Sequence, residues 1–398
     1  MSKNKIFCPL PIISLSLEAG LQRRLCCHDT SQETESLSLF DPSKGVGSSP
    51  LNKKVINEFS QGLIPKNCEY CFELEANGNQ SPRKEYLQKF KTITPSTVTK
   101  KIHYLDITID NECNLKCRSC RPSYSKKLTQ EFEKFNFPYN KELINSIDLI
   151  EAKDYLKFLP LLAEESMLTI TGGEPFFSNK TKAILDYLIK RKQSHGVSLR
   201  IFTNLSILPI WFSEVQPLFK SIELIISLDG SKELAEYIRY PSKWKSILKN
   251  LESLTEKPMP SLTIKIHFVL QAYNIVGIAE LITELLPFEN FFSIVPNITK
   301  LTHPTVLKVE VIPKEKLNKI IILEIEKLQI LQSRLKENSF TKENHEGIME
   351  IVKLLKNIHG SKNNLEFIQF LAHTQKIDKQ RKQSFSNINQ AILKLDKI

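Results

Sequence analysis

Residues 102–120 read IHYLDITIDNECNLKCRSC. An apolar, β-branched and aromatic run ends abruptly in three cysteines, Cys113, Cys117 and Cys120, spaced C-x3-C-x2-C. The first half has the content of a buried strand. The second half puts three thiols on the loop that leaves it. Strand ends that carry chemistry are how parallel α/β folds build their sites, and the same unit recurs downstream.

MLTITGGEP (167–175) is a strand running into a glycine-rich loop, and KTKAILDYLIKRK (180–192) has helical periodicity. VSLRIFTN (197–204), SIELIISLDG (221–230), SLTIKIHFVLQ (261–271) and FFSIVPNI (291–298) read as strands. Residues 141–163, 209–219, 244–255 and 275–286 read as helices between them. Alternating strands and helices imply right-handed βαβ units and a parallel sheet. About six units predict an α/β fold, a partial (β/α)6 TIM-like barrel over 101–312 whose strand ends present NECNLKC, TGGEP, FTN and SLDG. Residues 313–398 read as a helical C-terminal extension that packs without chemistry of its own.

The first 95 residues form a cysteine-rich region. IISLSL, a turn at Gly20 and the returning LQRRLCC predict a hairpin over 6–27. DPSKGVGSSP (41–50) is a loop; no Lys-Ser/Thr pair follows its Gly45 and Gly47, which excludes a phosphate loop. LNKKVINEF (51–59) is a helix, and TITPSTVT (92–99) is a linker.

The chain has 398 residues, 41% hydrophobic and 25% charged, a globular composition. Its net charge of +11 comes from lysines spread along the chain, which argues against a dedicated nucleic-acid surface. No apolar run is long enough for a membrane span. Prolines interrupt the N-terminal stretch IFCPLPIISLSL, and no clean cleavage site follows, so a soluble, cytoplasmic protein is expected.

All eight cysteines lie in the first 120 residues. Short spacings in a reducing compartment point to metal ligands rather than disulfides. Iron–sulfur cubanes take one thiolate per iron, so three thiolates leave one iron open to another ligand. The alternative is zinc held by three cysteines and a histidine. His103 is nearest, but it falls within the predicted strand.

CNLKCRSC after a strand, followed by TGGEP at Thr171 to Pro175, resembles the radical S-adenosylmethionine enzymes. The resemblance implies a [4Fe–4S] cluster on Cys113, Cys117 and Cys120, with S-adenosyl-L-methionine chelating the open iron. It implies that Gly172, Gly173 and Glu174 bind the cofactor's amino end. SLDGSKELAEYIRYPSKW (227–244) resembles the fourth-strand region of these enzymes, where Ser227, Asp229 and Arg239 would line the cofactor pocket. The Arg239 fork suits a carboxylate. Thr203 and Asn204 would face ribose, and Gln271 and Asn274 follow the fifth strand. In many relatives the residue before the last cysteine is aromatic and packs beside adenine; here it is Ser119, so the adenine contact must come from elsewhere.

The five earlier cysteines resemble the twitch or SPASM region, which binds an auxiliary iron–sulfur cluster: a cysteine before a hairpin, one after it, then C-x2-C. That region usually follows the barrel. Here it precedes it, as in a subset of twitch-containing relatives with a YIRYPSKW-like stretch, and the resemblance covers roughly residues 6–312. Four ligands are needed. Adjacent strand residues face opposite ways, so the expected set is Cys8, Cys26, Cys68 and Cys71, with Cys27 as substitute for Cys26. Structural zinc suits the same four thiolates. His28 is a further possible ligand.

The resemblance implies reductive cleavage of S-adenosylmethionine to a 5′-deoxyadenosyl radical that abstracts hydrogen from a substrate, with an electron donor such as flavodoxin or ferredoxin. A peptide or protein substrate is expected first, and a small molecule or sugar second. A non-enzymatic iron–sulfur or zinc protein on a decayed barrel is the competing class. No residue is singled out as the catalytic one.

Overall fold

The computed structural model describes residues 6–388 apart from 30, 32, 77, 79, 257, 258 and 260. The fold is α/β, with eight strands among the described residues, and its chain divides into two compact units. The first comprises Met1–Cys113, Pro122–Phe202 and Ile210–Ile222; the second comprises Asn114–Arg121, Thr203–Pro209 and Glu223–Ile398.

In the first unit the strand order is β2-β1-β3-β4-β5: β1 (Ser14–Leu17), β2 (Arg23–Arg24), β3 (Ile102–Thr108), β4 (Leu162–Thr171) and β5 (Val197–Thr203). The hairpin exists but is shorter than its sequence suggests. Leu10–Ile13 form one helical turn rather than strand, started by Pro9 and Pro11, and only Ser16 and Leu17 pair with Arg24 and Arg23. On its other side β1 runs parallel to β3, Ser14 opposite Tyr104 and Leu17 opposite Ile107. The cysteine-rich region therefore contributes a strand to the same sheet as the C-x3-C-x2-C loop, which nothing in the sequence pattern announces.

β3 is buried almost throughout, as a parallel strand covered on both faces should be. β4 starts at Leu162, five residues before the apolar run: Glu164 and Glu165, both exposed, continue the strand where its pairing with β3 shifts register. β5 alternates buried and half-buried positions. The helix Asn179–Lys190 returns from β4; Ser178 caps it by accepting from the Lys180 N–H at 3.2 Å. Helix Pro50–Ser60 starts at a Ser49 cap with proline in the first turn. A core of Phe7, Leu10, Ile12, Ile13, Val55, Phe59, Tyr86 and Tyr104 gathers around Cys8 and Cys68.

The second unit holds most of β6 (Ser221–Ser227), then β7 (Leu262–Leu270) and β8 (Asn297–Lys300). β7 and β8 are parallel. Residues 291–296 are not strand: Phe292, Ile294 and Val295 are buried in irregular chain, and pairing begins only at Asn297. A short buried apolar run does not by itself separate strand from loop. Among the described residues, three long helices, Lys314–Gln332, Thr341–Lys356 and Leu365–Arg381, and a single turn, Phe385–Ile388, build the C-terminal extension. Among the described residues, no helix is long and apolar enough to cross a membrane.

Candidate functional site

In the first unit β3 and β4 deliver Cys113 and the GGE turn side by side. The Gly173 N–H donates to Asp110 O and the Glu174 N–H to Glu112 O, each at 2.8 Å, so the turn is zipped onto the chain entering the cysteine loop. Both glycines are required by this approach. Gly172 has φ +117°, and a Cβ there would lie 2.8 Å from Ile109 N; one on Gly173 would lie 2.2 Å from Glu112 O. What comes close to these glycines is the chain's own backbone. Glu174 is 1% exposed, and its Oε1 accepts from the Phe176 N–H at 3.1 Å.

The same strand end is fastened from below. The Tyr155 hydroxyl donates toward Ile109 O at 2.6 Å and lies 3.2 Å from Thr108 O. Buried Asp110 accepts from Ser178 Oγ at 2.6 Å and from the Glu112 N–H at 3.0 Å. Burial raises its carboxyl above the ordinary range, opposed by the Ser178 bond and by Lys180.

The second unit carries Cys117 and Cys120 with most of the remaining candidates. The Cys120 N–H donates to Cys117 O at 3.2 Å, closing a turn between the two thiols. The Lys116 N–H donates to Tyr240 O at 2.6 Å and the Arg118 N–H to Ile238 O at 2.8 Å. The YIRYP stretch is thus laid along the cysteine loop with Arg239 abreast of Cys117. Desolvation pushes the Cys120 thiol up to about 12, with Cys117 adding to the rise and Arg239 opposing it. Cys117 is raised by desolvation and lowered by Arg239. Cationic Arg239 therefore favours thiolate at both positions.

Arg239 already has a carboxylate: its Nη2 lies 2.8 Å from Asp229 Oδ2, and Asp229 Oδ1 accepts from the Val269 N–H at 2.8 Å. Asn274, fully buried, donates to Asp229 O and Val269 O and accepts from the Gln271 N–H. It ties the strand ends together. Gln271 Nε2 reaches Ser119 Oγ at 3.5 Å, while its buried Oε1 has no hydrogen-bond partner among the described residues. Thr203 Oγ1 accepts from the Leu205 N–H. Asn204 accepts from Ser206 and donates to Asn114 at 3.1 Å. Both brace their own turn, and Asn204 also braces the cysteine loop. Ser227 ends β6.

The N-terminal thiols form their own group in the first unit. Cys8, Cys68 and Cys71 are buried and Cys26 is half-buried. Cys8, Cys26 and Cys68 are each raised in part by a neighbouring thiol, whereas Cys71 is raised by burial and by Glu75 and lowered by Arg83. Desolvation pushes Cys8 up to about 12, and Cys71 adds to the rise. Cys26 is raised by desolvation, then by Cys27, Cys8 and Cys68; Cys68 by desolvation, then by Cys8 and Cys71. Cys27 also raises Cys26 and Cys8, but its own Sγ lies 3.4 Å from Tyr104 Oη, and its strongest charged neighbour is Asp106. His28 packs on the rings of Tyr70 and Tyr86, and burial holds it down at about 4, so it is neutral. His103 packs edge-on to Phe90 near the start of β3, five residues and about 16 Å of strand before Thr108, away from the cysteine loop. Among the described residues, no three His, Cys, Asp or Glu side chains are arranged as a ready-made metal site.

Sequence reasoning missed Arg83. It is buried, bonds Glu75 on the C-x2-C helix, stacks on Phe72 at 4.4 Å and donates to Phe7 O at 2.7 Å. It thereby fixes the chain at Cys8 against the helix of Cys71. Only its position after Ser81-Pro82 hints at a helix start, and nothing local marks it as a tether.

No protein-family profile matches the chain, and no curated protein matches it. Matching solved structures include anSMEcpe with bound AdoMet and a Cp18Cys peptide, at 12% identity over 61% of this chain and 61% of that one, TM-score 0.39. Streptococcus suis SuiB bound to S-adenosylmethionine matches at 18% identity over 72% and 58%, TM-score 0.39. Streptococcus suis SuiB bound to precursor peptide SuiA matches at 17% over 78% and 67%, TM-score 0.40. The matched region spans about three-fifths of the anSMEcpe chain. Likenesses at this level carry no argument about function.

Proposed function

We propose that this chain is a radical S-adenosylmethionine enzyme, a partial barrel with an auxiliary iron–sulfur site in its N-terminal region, acting on a peptide or protein. The observation that carries the reading is the pairing of two motifs in sequence with a local structure that serves both. The C-x3-C-x2-C run leaves β3, the GGE turn leaves β4, and two 2.8 Å backbone bonds lock the turn to Asp110 and Glu112, which lead into Cys113.

Three thiols on one loop are the donor set that such a group takes. Cys113, Cys117 and Cys120 would hold a [4Fe–4S] cluster, leaving one iron for S-adenosylmethionine. When bound, the pair would supply an electron and a hydrogen-abstracting 5′-deoxyadenosyl radical, the electron coming from a donor such as flavodoxin or ferredoxin. The chain's own residues bind and orient. Asp229 aims the Arg239 fork, Arg239 favours thiolate, and Arg239 or Gln271 would meet polar groups of the cofactor. Gly172 and Gly173 act chiefly by letting β4 seat the cysteine loop. Cys8, Cys26, Cys68 and Cys71 would hold the auxiliary cluster, a choice of Cys26 over Cys27 supported by the Cys27 Sγ lying 3.4 Å from Tyr104 Oη.

The test is anaerobic reconstitution with iron and sulfide, followed by metal analysis. Wild type is expected to hold about eight irons, Cys117→Ala about four, and Cys71→Ser about four. Iron that is indifferent to Cys117, or zinc in place of iron at the N-terminal thiols, would contradict the corresponding assignment.

A further inference from the structure

We propose that the C-terminal helix Leu365–Arg381 shapes the cysteine loop through a buried Arg118–Asp378 ion pair, making both positioning residues for Cys117 and Cys120. The inference rests on the iron–sulfur reading of that loop. It gives a role to an extension whose sequence shows only helix packing.

Arg118 lies directly after Cys117, and its side chain is 0% exposed. Its Nε donates to Tyr237 O at 3.1 Å; its Nη2 donates to Asp378 Oδ1 and to Gln383 Oε1, the latter at 2.9 Å. The guanidinium sits 3.7 Å from the Tyr237 ring centroid and 5.5 Å from that of Tyr273. Asp378 is a shared acceptor. It also takes the Tyr237 hydroxyl at 2.8 Å and the Phe385 N–H at 2.7 Å. One turn of helix further on, Arg381 lies 5.3 Å over the Tyr240 ring, and Tyr240 O receives the Lys116 N–H. The helix thus holds the chain on both sides of Cys117, at Arg118 directly and at Lys116 through Tyr240.

Fold stability alone does not account for this choice of residues. A buried ion pair is seldom more stabilising than apolar side chains of the same volume, because both charges must be desolvated. What the rigid, five-donor guanidinium fork adds is a fixed position. A loop that must present thiolates to one cluster needs that; a packed surface does not.

The full chain is reconstituted anaerobically, and two variants are compared with wild type. Asp378→Asn removes the charge and keeps an acceptor oxygen. Arg118→Met/Asp378→Asn removes both charges while keeping an acceptor oxygen for the Tyr237 hydroxyl or the Phe385 N–H, so it folds even where a single change does not. Readouts are melting by circular dichroism, the rate at which a chelator strips loop iron, and the electron paramagnetic resonance spectrum of the reduced loop cluster. The loop signal is defined by its loss in Cys117→Ala. The double variant is expected to melt near wild type, yet to lose loop iron about tenfold faster or more, with an altered spectrum. Asp378→Asn is expected to fall between. Unchanged stripping and spectra in the double variant would overturn the inference while leaving the cluster assignment intact. Wild type without Cys117-dependent iron would overturn the cluster assignment and this inference with it.

Discussion

Gly173→Ala gives the sharpest structural test of how the site is assembled. The added Cβ would lie 2.2 Å from Glu112 O and 2.6 Å from Glu112 C, both backbone atoms that no side-chain rotation can clear. The turn must lift from the cysteine loop, which breaks Gly173 N–H to Asp110 O and Glu174 N–H to Glu112 O. Two net backbone hydrogen bonds at about 1 kcal/mol each, plus an overpacking cost of about 1–3 kcal/mol, give roughly 3–5 kcal/mol. That is a large share of the roughly 5–15 kcal/mol by which domains are stable. Urea unfolding of the metal-free protein measures it, with Val98→Ala, at an 80% exposed position, as a control expected to stay within about 0.5 kcal/mol. Hydrogen exchange at the Gly173 and Glu174 amides reads the lock directly and should accelerate. A Gly173→Ala protein within about 1 kcal/mol of wild type, with protected amides, would refute the account of why glycine stands there.

Tyr155→Phe should cost about 1–3 kcal/mol, since it leaves Ile109 O buried without its 2.6 Å donor; equilibrium denaturation checks this. Arg239→Met should weaken S-adenosylmethionine binding to the reconstituted protein about tenfold or more by equilibrium dialysis, and unchanged affinity would remove Arg239 from the pocket. Cys27→Ser should retain wild-type iron, in contrast to Cys71→Ser, because the Cys27 Sγ is held at Tyr104 Oη, 3.4 Å away. Glu324 gives a pH signature away from any thiol. Burial raises its carboxyl above the ordinary value, opposed by the Ala279 N–H at 2.8 Å. A carboxyl raised on folding binds its proton more tightly in the folded state, so its stability contribution is full below the unfolded value and lost as pH rises through the folded one. Wild type should therefore lose stability relative to Glu324→Gln as pH climbs from about 4 through that window, and a parallel pair of pH profiles would contradict it.

The strands that could be read in sequence were those with sustained apolar content. Ile102–Thr108, Val197–Thr203 and Leu262–Leu270 appear within a residue or two of the expected bounds. Errors arose where composition and environment part company. Ile12 and Ile13 look like strand but lie in a proline-started turn, and Phe292 to Val295 look like strand but are buried loop. The parallel union of β1 with β3 joins residues 90 apart and depends on tertiary packing that no local pattern encodes. At the site, the cysteines and the GGE turn are conspicuous because their residue types are rare and closely spaced. Arg118, Asp378 and Arg83 are not: a surface arginine and a buried one are spelled the same way, and only the partners 260 and 76 residues away distinguish them.

A C-x3-C-x2-C loop that carries a redox-active cluster working with S-adenosylmethionine must cleave that cofactor when reduced. The most direct measurement is 5′-deoxyadenosine formation by the anaerobically reconstituted protein given dithionite and S-adenosylmethionine, in wild type and in Cys117→Ala. The account predicts 5′-deoxyadenosine from wild type and none above background from the variant. Equal amounts from both, or none from a wild type that holds its full iron under strongly reducing conditions, would contradict it.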